Sequence, residues 1–400
     1  MTGARRIGRW LALTVSVVTM LLASWIVIPA PTYVLLTFGV GAPEVSAWLV
    51  LASVAGLLVA MAGDRRRLVT RVAAICGWVA LVLALVPAVQ IPRTARKFND
   101  ATRGMSAEPR VPLRARPIVV ADLFRGIPSA ADRVRIHRDI PFASPAGARL
   151  ALNVYQPAVR GAYPVVVQIY GGAWQRGTPG SNEDFATWLA SSGYVVIAVD
   201  YRHAPRWKWP TQIDDIDSSL VWVRDHAAEY DGDTSRVVLI GRSAGAHLAM
   251  LAGYRPSPVR IAGVISYYGP VFLADAYRRP PRPDPLHIRA VDEAFLGGPP
   301  DVMPERYAAA SPSSYVNHPL PPTLLINGKR DHIVESKYGA RFRDTLAAHG
   351  HAVAFLEIPW AEHAFDAVFN GPSSQLALYY TERFVAWAIA APPRTAAGSR

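Results

Sequence analysis

The sequence predicts an α/β protein with a doubly wound, mostly parallel sheet, preceded by three apolar helices. Residues 10–91 contain few charged side chains, whereas the rest of the 400-residue chain has an ordinary globular composition. Beyond residue 133, short runs rich in Val, Ile and Leu alternate with helical stretches. Continuous apolar runs are typical of parallel strands that are buried on both faces. A succession of strand, helix and strand then predicts one sheet with helices packed on both sides.

Three N-terminal segments have the length and apolar character of membrane-spanning helices. About 20 apolar residues cross the ~30 Å of hydrocarbon in a bilayer, and the segments cover about 10–30, 45–62 and 72–91. An earlier start for the second segment, near Val34, is an alternative. A cleaved signal peptide is the alternative for the first segment, but Ile28-Pro29-Ala30 is a poor cleavage site. We therefore expect a transmembrane region over residues 1–92.

The basic residues around these segments predict which way they cross the membrane. Of the net charge of +12, +7 lies in residues 1–100. Cytoplasmic loops of membrane proteins are rich in Lys and Arg, and the basic clusters are Arg5, Arg6, Arg9, Arg65, Arg66, Arg67 and Arg71. The loop after the first segment carries only Glu44. The globular part is therefore expected on the extracytoplasmic face, although Arg93, Arg96 and Lys97 oppose this orientation.

Charge and cysteine content exclude some other classes of protein. The globular part has no long run of Lys and Arg, so we do not expect nucleic acid as a partner. The single cysteine, Cys76, allows neither an intrachain disulfide nor a cysteine-based metal site. Cysteine content therefore does not indicate the compartment.

The globular part is expected to form one domain over residues 133–392, after a Pro/Arg-rich connector at 93–132 and before a tail at 393–400. Its predicted strands cover 134–140, 150–155, 165–170, 194–199, 237–241, 262–268, 323–327 and 353–358. Its predicted helices cover 183–191, 211–229, 243–254, 335–348 and 374–390. Residues 270–312 interrupt the alternation with many prolines, so we expect a lid-like insertion there.

The strongest chemical signal is the pentapeptide at 241–245, Gly-Arg-Ser-Ala-Gly, which follows an apolar strand and begins a helical stretch. A serine at such a turn has a strained backbone, and the flanking glycines remove side chains that would clash. The helix N-terminus favours negative charge that develops beside the serine. A chance Gly/Ser-rich turn is the alternative, but the strand–turn–helix context favours Ser243 as a nucleophile.

A second glycine pair follows the strand predicted at 165–170. Gly171 and Gly172 lie where backbone N–H groups can point at a carbonyl oxygen. Together with the N–H of Ala244 they would form an oxyanion hole, in which one donor contributes ~3 kcal/mol. An ordinary strand-to-loop turn is the alternative for this pair taken alone.

A nucleophilic serine needs a base, and the base needs an acid that orients it. Asp331 and His363 follow the last two predicted strands, at the sheet edge where Ser243 also lies. This is the chain order, serine, then acid, then histidine, that is found in hydrolases built on a doubly wound sheet. We therefore expect Ser243, Asp331 and His363 to form a catalytic triad, and we interpret His247 and His332 as structural.

Four further side chains near these residues are candidates for the wall of a substrate pocket. They are Tyr170, Trp174, Tyr201 and Arg242. Core packing is the alternative for the aromatic rings, since aromatic residues near loops are as often part of the core.

From about residue 135 to 390, the motifs resemble those of the hormone-sensitive-lipase-like and BD-FAE-like carboxylesterases of the α/β-hydrolase superfamily. The matching stretches are YGGAW at 170–174, VDYRHAP at 199–205, AEYDGD at 228–233, GRSAGAHLA at 241–249, PPTLLINGKRDHIV at 321–334 and EHAFD at 362–366. The GGAW and SAGAHLA stretches are most similar to the prenylcysteine-methylesterase-like branch. With its apolar helices in front, the chain is also similar to membrane-anchored esterases of actinobacteria.

The resemblance implies hydrolysis of a small-molecule or lipid ester through an acyl-enzyme on Ser243, without a metal or organic cofactor. Two departures stand out: Tyr170 and Ala173 replace the usual His and third Gly of the oxyanion loop, and Arg242 replaces a frequent Asp or Glu. Amide hydrolysis or acyl transfer by the same triad is one alternative. A catalytically inactive, membrane-anchored binding protein is another.

Overall fold

A computed structural model describes residues 3–64, 66–109, 114–128 and 131–390. Arg65, parts of the expected connector and the expected tail at 393–400 lie outside the described residues. The described strands are β1 (Val134–Ala143), β2 (Leu150–Pro157), β3 (Tyr163–Ile169), β4 (Val195–Val199), β5 (Gly232–Arg242), β6 (Ile261–Tyr267), β7 (Thr323–Gly328) and β8 (Val353–Ile358). They correspond to the predicted strands, although β5 begins before the expected residue 237.

The described helices connect and precede these strands. They are α1 (Gly3–Ser24), α2 (Tyr33–Glu44), α3 (Ser46–Met61), α4 (Leu68–Ala84), α5 (Val86–Ala101), α6 (Asp122–Arg125), α7 (Glu183–Ala190), α8 (Thr211–His226), α9 (Ala244–Tyr254), α10 (Leu273–Arg278), α11 (Ile288–Leu296), α12 (Pro304–Ala310), α13 (Ser336–Ala348) and α14 (Pro372–Ala390).

All eight strands form one sheet in the order β1-β2-β4-β3-β5-β6-β7-β8. Strand β2 is antiparallel to β1 and β4, and the other neighbouring pairs are parallel. Alternating side chains of β3 pack on opposite faces, Val165 and Val167 on one and Val166 on the other. Helices α8, α9 and α13 cover the first face, and α5, α7 and α14 cover the second. The predicted doubly wound, mostly parallel sheet is confirmed.

Helices α1, α3 and α4 pack against one another as a bundle. Small side chains line their contacts, with Ala12, Ala60 and Ala73 at one end and Ala23 and Ala84 at the other. Small residues let apolar helices approach closely, as they do in membranes. Small side chains therefore make the contacts between these helices, as they also do between membrane helices.

The length of these helices supports membrane association. Within the described residues, Ile7–Ser24 and Leu68–Ala101 are long and apolar enough to cross a membrane. The second expected segment, 45–62, coincides with α3, whereas its alternative start near Val34 falls within α2. Helices α2 and α3 meet at 78°. A third crossing requires this bent pair to act as one span, so the expectation of three crossings stays a prediction.

Helix α5 carries the chain from the bundle onto the sheet domain. The rings of Phe98 and Tyr380 meet edge to face with their centroids 5.2 Å apart. The hydroxyl of Tyr380 donates to the carbonyl oxygen of Ala95 at 2.9 Å. The expected connector therefore begins as a docked helix that runs to Ala101.

The expected insertion at 270–312 contains the short helices α10, α11 and α12. Phe295 of α11 is fully buried in the same core as Val165 and Val167 of β3. The insertion is thus packed onto the domain, and its role as a lid stays a prediction.

Candidate active site

Ser243 lies at the tight turn between β5 and α9. Its backbone has φ 52° and ψ −121°, a conformation that costs a non-glycine residue on the order of 1–3 kcal/mol. The N–H of Ser243 donates to the carbonyl oxygen of Tyr267 at 2.9 Å. A Cβ atom on Gly245 would lie 2.3 Å from the carbonyl oxygens of Ile169 and Tyr170. Close packing of α9 on the end of β3 thus holds the strained turn in place.

His363 lies between Ser243 and Asp331, within hydrogen-bond distance of both. Its Nε2 is 3.0 Å from Ser243 Oγ, and its Nδ1 is 2.8 Å from Asp331 Oδ2. The N–H groups of Ile333 and Val334 donate to Asp331 Oδ1 at 2.8 and 2.7 Å. With Oδ1 occupied, Oδ2 accepts from Nδ1–H, and Nε2 then carries the lone pair that faces the serine hydroxyl.

Gly171 and Gly172 form a loop after β3 that passes beside Ser243. A Cβ atom on Gly171 would lie 3.1 Å from Cβ of Ser243. Gly172 has φ +136°, and a Cβ atom there would lie 2.0 Å from the carbonyl oxygen of Arg176. Glycine alone fits these two positions without strain. Among the described hydrogen bonds, the N–H groups of both glycines have no acceptor.

Ala244, the third expected oxyanion donor, is the first residue of α9. The first N–H groups of a helix have no acceptor within it, and they carry the positive end of the helix dipole. Ala244 directly follows Ser243, and the loop of Gly171 and Gly172 passes beside it, so both bring backbone N–H groups close to the serine. Such an arrangement can hold an oxyanion beside the nucleophile.

Glu362 connects the two loops that carry Asp331 and His363. Its Oε1 accepts from the N–H groups of His332 and His363, at 2.6 and 3.0 Å. Its Oε2 lies 2.6 Å from Nδ1 of His332. This hydrogen bond raises the pKa of His332. The sequence interpretation assigned Glu362 no role; a carboxylate directly before the expected base was the available signal.

Tyr170 and Tyr201 lie elsewhere than the sequence suggested. Both are fully buried, and their rings stack with the centroids 4.5 Å apart. The hydroxyl of Tyr201 donates to the carbonyl oxygen of Tyr170 at 3.1 Å, and that of Tyr170 donates to Asp200. Neither ring lines the cavities that reach Ser243. Both tyrosines instead support the glycine loop from behind, because their hydrogen bonds and stacking hold Tyr170, the residue directly before Gly171.

Trp174 lines a cavity beside Ser243, although most of its ring is covered by Phe295, which stacks on it at 4.2 Å. Its Nε1–H donates to Nδ1 of His247 at 3.2 Å, and Nε2–H of His247 donates to the carbonyl oxygen of Ala310. Burial lowers the pKa of His247 to about 4, which keeps the imidazole neutral. His247 thus packs between the glycine loop and the insertion, in agreement with its structural interpretation.

Arg242 borders a cavity that reaches Ser243, but the carboxylate of Asp366 compensates its charge. Its Nε donates to Asp366, and its guanidinium lies 4.5 Å from the ring of Phe185. The hydroxyl of Tyr268 donates to the other oxygen of Asp366. The Tyr268 ring lies 4.5 Å from the imidazole of His363. Arg242 therefore stabilises the wall behind His363.

Two cavities meet at Ser243. The smaller one, of about 630 Å³ with its open mouth, lies under α10 and α11 and has mainly apolar walls, including Phe272, Leu273 and Val291. The larger one, of about 1230 Å³ with its open mouth, lies between His363, the glycine loop and α2. An elongated ligand can therefore occupy space on both sides of the serine hydroxyl.

Known proteins that are similar to this chain include carboxylic ester hydrolases. Carboxylesterase NlhH of Mycobacterium tuberculosis (strain CDC 1551 / Oshkosh) is 30% identical over 233 residues, which cover 54% of this chain and 71% of that protein. The probable carboxylic ester hydrolase LipM of M. tuberculosis (strain ATCC 25618 / H37Rv) is 30% identical over 239 residues, 56% of this chain and 54% of that protein. This chain spans about half the length of LipM. A solved bacterial heroin esterase shares the fold with a TM-score of 0.57 and 23% identity, covering 65% of this chain and 86% of its own.

The order of the strands and the serine turn after β5 define an α/β-hydrolase. A family model described as BD-FAE matches residues 152–346. Together with the relatives above, this match shows that the chain belongs to the α/β-hydrolase carboxylesterases of the hormone-sensitive-lipase-like type.

Proposed function

We propose that this chain hydrolyses carboxylic esters through an acyl-enzyme on Ser243. The observation that carries the proposal is the position of His363, 3.0 Å from Ser243 Oγ and 2.8 Å from Asp331 Oδ2. A base that is oriented by a buried acid and faces a hydroxyl makes that hydroxyl nucleophilic. The names of the relatives, a carboxylesterase and a probable carboxylic ester hydrolase, support ester bonds as the target.

In the first half-reaction, Ser243 Oγ bonds to the ester carbonyl carbon while its proton passes to Nε2 of His363. Asp331 accepts from Nδ1–H and stabilises the imidazolium. The oxyanion accepts hydrogen bonds from the backbone N–H groups of Gly171, Gly172 and Ala244. The carbon–oxygen bond of the ester then breaks, and Nε2–H gives its proton to the leaving oxygen, which departs as the alcohol.

In the second half-reaction, water gives a proton to Nε2 of His363 and its oxygen bonds to the acyl carbon. The same N–H groups hold the oxyanion. The bond to Ser243 Oγ then breaks, and Oγ regains the proton from His363. The carboxylic acid leaves and the enzyme is restored, so one water molecule is consumed for each ester.

The two cavities suggest how the ester lies in the site. The smaller cavity has mainly apolar walls from the insertion, and burial of apolar surface favours an acyl chain there by ~0.8 kcal/mol per methylene group. The larger cavity, beside His363, receives the alcohol part, since His363 protonates the leaving oxygen.

Labelling by a fluorophosphonate probe tests the nucleophile directly. We expect wild type and Ser218→Ala to be labelled and to hydrolyse p-nitrophenyl butyrate, because Ser218 is exposed on α8. Ser243→Ala should lose both labelling and hydrolysis, the latter by about 10⁴-fold or more. Labelling that survives in Ser243→Ala would refute the assignment.

A further inference from the structure

We propose that the ester reaches Ser243 directly from the bilayer, through the mouth of the larger cavity beside α2. The substrates are then lipid esters that reside in the membrane, and not esters dissolved in water. This inference rests on the proposed ester hydrolysis and adds its substrate class and route of entry.

Helix α2 of the N-terminal region forms one wall of the larger cavity. Tyr33, Thr37 and Val40 line this cavity, and Ser243 and His363 line it from the opposite side. The sheet domain therefore does not enclose the site alone. Any substrate that enters the larger cavity passes next to α2.

Contacts at both ends fix α2 on the sheet domain. At its first residue, the hydroxyl of Tyr33 accepts from Arg176 at 2.8 Å, and the guanidinium lies 4.9 Å from the ring centroid. At its last residue, the buried carboxylate of Glu44 accepts from the N–H of Ser373 at 3.0 Å. The position of α2 over the cavity is therefore a defined part of the fold.

The outward face of α2 is apolar and continuous with the bundle. Val34 is 72% exposed and Phe38 43% exposed, and residues 10–43 contain no Asp, Glu, Lys or Arg. Trp25, after the end of α1, stacks on Phe38, and Trp48 at the start of α3 is half exposed. Aromatic rings concentrate where a bilayer meets water, so these rings mark the level of the interface.

The angle between α2 and α3 places α2 across the end of the bundle. Because the two helices meet at 78°, an upright α3 puts α2 close to the plane of the membrane surface. A helix in this plane with an apolar outer face lies among headgroups and the upper acyl chains. The cavity wall formed by α2 is then in contact with lipid, and a lipid chain can move past it into the site without crossing water.

Two substrates and a matched pair of variants test this route. The full chain is reconstituted in phosphatidylcholine vesicles and assayed on a long-chain fluorogenic ester in the vesicle and on p-nitrophenyl acetate in water. Val34→Asp places a charge on the outward face of α2. Val159→Asp changes a residue of equal exposure, 73%, in the loop after β2. We expect Val34→Asp to lower the ratio of vesicle to soluble activity at least tenfold and Val159→Asp to leave it unchanged.

A variant of the cavity wall and the fluorophosphonate probe complete the test. Thr37→Trp narrows the larger cavity beside α2 while the outward face of α2 stays apolar. It should lower the ratio as well, because the long-chain ester needs more space there than p-nitrophenyl acetate does. Labelling of Ser243 in each variant shows that the site is folded. Equal ratios in Val34→Asp, Thr37→Trp and wild type would overturn the route. Wild-type protein that cleaves only the soluble ester would do the same, whereas protein that cleaves neither and escapes labelling would refute the hydrolase proposal itself.

Discussion

Glu362 illustrates, at the scale of single residues, how two separate loops are held together at this site. One carboxylate accepts three hydrogen bonds, from the N–H groups of His332 and His363 and from the His332 imidazole. Hydrogen bonds to a charged group contribute about 1.5–3 kcal/mol each. Glu362 contacts no reacting atom in the proposed mechanism, so it is a positioning residue.

Glu362→Gln should lower kcat about tenfold and change KM less than twofold, because the amide cannot accept all three bonds and the His363 loop shifts. The pH dependence of stability should change as well. The pKa of His332 is raised in the folded chain. Its contribution to the free energy of unfolding is therefore present below the pKa of the unfolded chain and is lost as pH rises through the pKa of the folded chain. Thermal unfolding at several pH values should show that loss in wild type and not in the variant.

The control for this prediction is Glu357→Gln. Glu357 lies on β8 and accepts from the hydroxyl of Ser336 at 2.8 Å, away from the triad. The Glu357→Gln variant should retain the wild-type kcat and the wild-type pH dependence of thermal unfolding. A Glu362→Gln enzyme with unchanged kcat would show that the loops are positioned without this carboxylate.

His247 gives a second prediction at the residue scale. Burial lowers its pKa from 6.5 to about 4, so the folded chain favours the neutral imidazole and is stabilised where the unfolded imidazole is neutral. This contribution of His247 to the free energy of unfolding is complete above pH 6.5 and is lost as pH falls toward 4. His247→Gln should therefore flatten the fall in Tm between pH 6.5 and 4.5. His349→Gln, at an exposed position, should leave it unchanged, and parallel curves for all three proteins would contradict the prediction.

At the scale of structural elements, the loop after β3 depends on one glycine and tolerates change at another. Gly172→Ala would place a Cβ atom 2.0 Å from the carbonyl oxygen of Arg176, at φ +136°. The loop must move, so the oxyanion donors move with it, and we expect kcat on p-nitrophenyl butyrate to fall about 10²-fold. Gly180→Ala meets only Thr178 Oγ1 at 3.6 Å and should keep kcat within twofold. Similar kcat values for the two variants would exclude the glycine loop as an oxyanion donor.

The elements that the sequence predicted best are those with a strong local pattern. The strands were recognisable because both faces of a parallel sheet are buried, as the interior of β3 shows with Val165, Val166 and Val167. Asp331 and His363 could be selected because residues after parallel strands meet at one edge of the sheet. The first signal is a local apolar pattern and the second is the order of elements along the chain, and both are visible without knowledge of tertiary packing.

Other features depend on tertiary packing, which the sequence pattern does not contain. Helix α2 is apolar on both its buried and its outward face. Its sequence pattern therefore does not distinguish it from part of a membrane-spanning segment. Helices α10 and α12 have six and seven residues, too few for a clear helical period. Tyr170 was assigned to the pocket because it precedes the glycine loop, but proximity in sequence does not determine which side of the loop a ring occupies.

At the scale of the whole molecule, the bundle lies between the basic residues near its far end and the sheet domain. Ala12, Ala60 and Ala73 meet at the end near Arg9 and the loop between α3 and α4, which carries Arg66 and Arg67. The other end, marked by Ala23 and Ala84, adjoins α2 and α5 and through them the sheet domain. Arg9, Arg66 and Arg67 are therefore on one side of the bundle, and Ser243 is on the other.

This separation gives the last prediction. Because basic loops stay in the cytoplasm, the sheet domain is expected on the extracytoplasmic face. In intact cells, a membrane-impermeant maleimide should label Val159→Cys and should label Arg66→Cys only after permeabilisation. The wild-type chain is the control, since its single thiol, Cys76, is buried within α4. Arg93, Arg96 and Lys97 at the start of the docked part of α5 favour the opposite orientation, and labelling of Arg66→Cys alone would show that they determine it.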